Sequence, residues 1–134
     1  MMTDRIKQEL ELLLRHFPQA GWHETGQNGW ILIPDFPIPG DIWDKDKAEV
    51  CFEVPAGYPG QAPYAFYVQG GLHLKAVSGN PLSYNEPAAT PFPGTWGKFS
   101  WQHDASWRPT TDLASGSNLT NFVLTFKDRL AERA

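Results

Sequence analysis

Apolar side chains recur with a helical period at both ends of this chain and with a strand period between them, and that order leaves few folds open. Near the start, Ile6, Leu10, Leu13, Leu14 and Phe17 form one stripe at helical spacing, which predicts an amphipathic helix over residues 5–17. Thr3 and Asp4 suit its cap, and Pro18 ends it, because a residue before proline is pushed away from helical dihedrals. Towards the other end, Leu119, Phe122, Val123, Phe126 and Leu130 make a second stripe. It predicts a helix over 118–133 with Ser117 as its cap.

Between the helices, residues 22–24 and 30–33 read as two antiparallel strands, with Gly26, Asn28 and Gly29 supplying the turn. Pro34, Pro37, Pro39 and Gly40 then interrupt the backbone before a third strand over 47–54. There Val50, Phe52 and Val54 face one way and Glu49, Cys51 and Glu53 the other. A fourth strand is expected over 64–68, after the turn Pro55-Ala56-Gly57-Tyr58-Pro59. Residues 70–116 are rich in glycine, proline and tryptophan and show no regular period, so they read as one long irregular segment. The expected fold is therefore α+β: an N-terminal helix, a four-stranded antiparallel meander, a long irregular segment and a C-terminal helix. With no repeat or linker in its 134 residues, the chain reads as one domain, 1–134.

A formal net charge of -4 leaves no basic excess for phosphates or anionic lipid, so neither nucleic acid nor membrane is an expected partner. The N-terminal segment is charged and amphipathic where a signal peptide would be apolar, and the expected location is the cytoplasm. The single cysteine, Cys51, excludes an internal disulfide and a multi-cysteine zinc site. His16, His23, His73 and His103 lack the short spacings of paired metal ligands, so no metal or other cofactor is expected.

Two motifs carry a resemblance. The run Phe52-Glu53-Val54-Pro55-Ala56-Gly57-Tyr58-Pro59-Gly60-Gln61-Ala62-Pro63-Tyr64 is similar to the turn of the ubiquitin-conjugating superfamily, where a strand ends in a proline-rich Tyr-Pro element. Ser106-Trp107-Arg108-Pro109 resembles the Trp-x-Pro that follows the catalytic loop of those enzymes. Together with the leading helix and the meander, they resemble most closely prokaryotic family E of the ubiquitin-conjugating-enzyme-like (UBC/RWD-like) superfamily, over residues 6–130. That resemblance implies a bacterial pathway with a ubiquitin-like modifier, an activating adenylyltransferase-like enzyme and a metallopeptidase encoded nearby.

The chain departs from that pattern at the point of chemistry. A conventional conjugating enzyme carries His-Pro-Asn and then a cysteine about eight residues before the Trp-x-Pro tryptophan. Here the region reads Pro91-Phe92-Pro93-Gly94-Thr95-Trp96-Gly97-Lys98-Phe99-Ser100-Trp101, with neither the thiol nor the asparagine. Cys51 sits in mid-strand between Glu49 and Glu53, whose like charge disfavours a thiolate, so it reads as a packing residue. Ser100 lies near the missing cysteine, with His103 or Asp104 as candidate base for an oxyester.

The aromatic residues divide in the same way. Phe99 and Trp107 read as core; Trp96, between Gly94 and Gly97, is expected to stay partly exposed and to act in binding, with Trp101 beside it. Pro55, Tyr58, Pro59, Pro63 and Pro109 read as rigid turn elements, and Asp112 as a cap or turn residue. The sequence thus favours a non-catalytic adapter that binds the modifier or its activating enzyme through the outer sheet face, including Glu49 and Glu53, and the loop over 79–107. The alternatives are an active conjugating enzyme carrying the modifier on Cys51 or Ser100, and a small-molecule or glycan binder using Trp96 and Trp101.

Overall fold

The structure, a computed structural model, describes residues 3–26, 28–75, 81–102, 107–112 and 116–132. Helix α1 runs Asp4–His16, started by Thr3, whose Oγ1 accepts the Ile6 N–H at 3.1 Å. Strands β1 (Gly21–Thr25), β2 (Asn28–Pro37), β3 (Lys47–Val54) and β4 (Phe66–Gln69) follow as a meander. Then come β5 (Tyr84–Ala88), β6 (Trp96–Phe99) and helix α2 (Leu119–Leu130).

All strands pair antiparallel in one six-stranded sheet of order β1-β2-β3-β4-β6-β5. The expected four-stranded sheet is thus two strands short, and the segment expected to be irregular holds a hairpin added to the β4 edge. Its strands escape a period search because β6 is only four residues long and puts a large aromatic on each face, Trp96 with Lys98 on one and Phe99 on the other. Its partner β5 is short and carries Pro87. Tyr84 in β5 needs glycine beneath it: a Cβ at Gly71 or Gly97 would overlap its hydroxyl.

Boundaries also move, and Asn28 and Gly29, expected in the turn, are the first residues of β2. β2 continues through Pro34 instead of stopping there, because a register shift between Ile33 and Phe36, with Asp35 at φ 54°, absorbs the proline as a bulge. β4 begins at Phe66, since Ala65 at φ 69° cannot extend the strand towards Tyr64. α2 is capped by Asn118, whose Oδ1 accepts the Asn121 N–H at 2.8 Å, not by Ser117, and it ends at Leu130. The Ser117 hydroxyl instead accepts the Arg108 N–H at 3.0 Å.

Both helices lie on the face carrying Val50, Phe52 and Val54. Phe126 of α2 stacks on Phe66 with centroids 4.2 Å apart, and its ring meets Phe52 and Phe36 at 5.8 and 6.0 Å. Trp43 closes the far end of this layer, fully buried, with its Nε1–H donating to Leu130 O at 2.8 Å. Because Phe126 joins three strands to α2, Phe126→Ala is expected to cost about 3–5 kcal/mol, read as a lower urea midpoint. A loss under about 1 kcal/mol would show that the helix is held by other contacts.

Candidate functional site

The outer face of the sheet has a small apolar cluster of its own. By register, Leu32, Cys51 and Tyr67 lie side by side across β2, β3 and β4 on the face away from the helices. Trp30 and Trp96 close over Cys51, with Phe92 packed against them. Cys51 is 0% exposed. Burial, and after it the Glu49 carboxylate, push its thiol far above the ordinary value, which disfavours the thiolate that a thioester would need.

Trp96 is the clearest correction on this face. It is 1% exposed, not partly open as expected, because strand alternation aims it over Cys51, whose small side chain leaves room for an indole. Trp101 is half-buried, with Nε1–H donating to Thr125 Oγ1 at 2.9 Å. Trp96 is buried in the outer-face cluster with no open face for stacking a sugar, and Trp101 packs against the core on the helix side, so the two do not share the exposed platform that was expected. Glu49 and Glu53 are half-buried at the margin of the cluster, and Glu53 accepts a hydrogen bond from Asn28 Nδ2 at 2.8 Å. Lys98 lies across from them, its Nζ 5.8 Å from the Tyr67 ring centroid and 6.0 Å from that of Tyr64.

At one end of the sheet the two motifs meet each other. The Trp107 Nε1–H donates to Pro59 O at 2.7 Å, and its ring lies 5.8 Å from that of Tyr58. The Tyr58 hydroxyl donates in turn to Glu9 Oε1 at 2.5 Å, the same oxygen that accepts the Leu119 N–H at 2.6 Å. Glu9 Oε2 takes Arg5 Nε–H at 2.5 Å, and a second Arg5 nitrogen donates to Thr110 O. Burial, then the bond to Glu9, push the Tyr58 phenol well above its ordinary value, so it remains a donor. Pro63 is buried, and Pro55 and Pro109 are half-buried. Glu9 is 0% exposed and absent from the candidates above. Its signal was in the sequence: it falls between Ile6 and Leu13 on the apolar stripe, where an acid needs a buried partner.

Ser100 follows β6 directly, half-buried, with its N–H donating to Ser83 O at 2.8 Å. His103 and Asp104, its candidate bases, lie outside the described residues. A second polar group went unforeseen. His73 meets Asp44 through Nδ1 at 3.1 Å and Glu86 through Nε2 at 3.3 Å, and Glu86 also accepts from the Tyr84 hydroxyl at 2.5 Å. The two carboxylates stand at opposite ring nitrogens and do not converge on one point. Among the described residues no group of three or more His, Cys, Asp or Glu is placed to hold a metal ion, and no helix is long and apolar enough to cross a membrane.

The family model described as prokaryotic E2 family E matches residues 15–124, from the end of α1 into α2, across both motifs. The chain belongs to prokaryotic E2 family E. No curated protein and no solved structure matches it. Within this family E protein the Tyr-Pro turn and the Trp-Arg-Pro segment are parts of one hydrogen-bonded junction, while the single thiol is sealed on the opposite face of the sheet.

Three outcomes follow for the family E protein. Iodoacetamide should leave Cys51 unmodified in native protein and alkylate it fully in denaturant, as read by mass spectrometry; rapid native labelling would contradict the sealed site. Because the folded thiol is raised, its contribution is present below the ordinary thiol value of about 8.5 and is lost as pH rises past it. Stability should therefore fall with alkaline pH, and less steeply in Cys51→Ala. At the junction, Glu9→Ala strands three donors and should cost about 3–5 kcal/mol, against about 1–2 for Tyr58→Phe, both by urea unfolding.

Proposed function

We propose that this protein is a non-catalytic conjugating-enzyme-like adapter of a bacterial ubiquitin-like modifier pathway, binding the modifier, its activating adenylyltransferase-like enzyme, or both. The observation that carries this reading is the position of Cys51. Transthiolation needs an exposed thiolate, and the one sulfur nucleophile here is neutral and covered by two indoles. A domain of this architecture without that chemistry retains its surfaces, and the outer sheet face supports a binding role. There Glu49 and Glu53 stand at the margin of an apolar cluster, with the exposed Tyr64 and Lys98 across it.

Calorimetry against the modifier and the activating enzyme encoded in the same gene neighbourhood tests it. Binding to at least one is expected, and failure of both would remove the adapter reading. A reaction with activating enzyme, modifier and ATP should yield neither a reducible adduct nor a hydroxylamine-sensitive one. A hydroxylamine-sensitive adduct lost in Ser100→Ala would replace the adapter with an enzyme that carries its modifier as an oxyester.

A further inference from the structure

Residues 89–95, which join β5 to β6, cross the outer sheet face, and their construction is that of a cover. Among the described residues, the hydrogen bonds of this strap are local or terminal. Thr90 Oγ1 engages Phe92 N–H and O at 3.2 and 3.3 Å, Trp96 Nε1–H donates to Pro93 O at 3.2 Å, and Thr95 O accepts the Gly70 N–H at 2.6 Å. The ring contacts that reach the far strands belong to Phe92. It meets His23 of β1 edge-on at 5.0 Å and Trp30 of β2 at 6.3 Å. The rest of the strap's middle, Pro91, Pro93 and Gly94, is exposed.

Two prolines stiffen the strap, and Gly94 at φ 101° takes a bend that a side chain would strain. A stiff arm whose tip is held by an apolar ring can lift for the loss of one directional bond to the sheet, Trp96 Nε1–H to Pro93 O, while Thr95 stays hinged on Gly70. What it leaves open is an apolar seat beside His23, Trp30 and Trp96, in a cluster that Leu32 and Tyr67 complete, with Glu49 and Glu53 on either side of Cys51 along β3.

We propose that the strap is a self-cover: in the unbound chain Phe92 fills the seat that an apolar side chain of a protein partner takes on docking, and the strap swings away as it enters. The two margin carboxylates favour a partner segment in which that apolar residue neighbours a lysine or arginine. This rests on the adapter reading, and it makes the measured affinity lower than that of the open state by the fraction of molecules already open.

Phe92→Ala tests it with two separate readouts, after circular dichroism has shown the variant folded. Trp30 and Trp96 roof Cys51 and Phe92 braces both indoles, with centroids at 6.3 and 6.0 Å; alkylation of Cys51 by iodoacetamide needs no partner and should accelerate by about tenfold or more as that brace is removed. An unchanged rate overturns the cover. Binding to the modifier or activating enzyme, by calorimetry, should tighten several-fold. Weaker or equal binding overturns displacement, because Phe92 would then be a contact or a bystander. Faster alkylation with no binding by either the parent or the variant supports the cover and sinks the adapter reading instead.

Discussion

A fully buried carboxylate from the first helix ties the ends of the chain together. Glu9 accepts hydrogen bonds from Arg5, from Tyr58 in the turn after β3, and from the first N–H of α2. A buried charge is tolerated only when its lone pairs are occupied, and here the donors come from three separated stretches. The last of them also places negative charge at a helix N-terminus, where the helix dipole favours it. The tyrosine of the family's turn motif is therefore a hydrogen-bond donor to a core acid as well as a turn residue. The tryptophan of the other motif locks onto the carbonyl of the adjoining proline.

The two faces of the sheet are put to different uses. One is filled by phenylalanines against the helices. The other carries a smaller aromatic cluster whose centre is a cysteine that cannot ionise readily. In an architecture that ordinarily presents sulfur to a partner, this chain uses its sulfur as filling beneath Trp30 and Trp96.

The helices, the third strand and the packing role of Cys51 were legible because each rests on a period or a local charge pattern that holds within about ten residues. β5 and β6 were not, since a four-residue strand with an aromatic on each face has no alternation to detect and Pro87 reads as a break. Trp96 misled for a related reason: flanking glycines suggested an open loop, whereas one of them, Gly97, is there to admit the Tyr84 hydroxyl from the helix side. Glu9 was legible as an acid on an apolar stripe. Its partners were not, because Tyr58 and Leu119 lie 49 and 110 residues away in sequence.

The sheet's outermost strand beside β6 includes Pro87, which has no N–H to give. A foreign strand laid along that border would find its ladder interrupted near the middle, which guards this side against end-on aggregation. The opposite border, β1, contains no proline. A strand added on the β1 side, next to the strand that bears Trp30, would meet no such interruption.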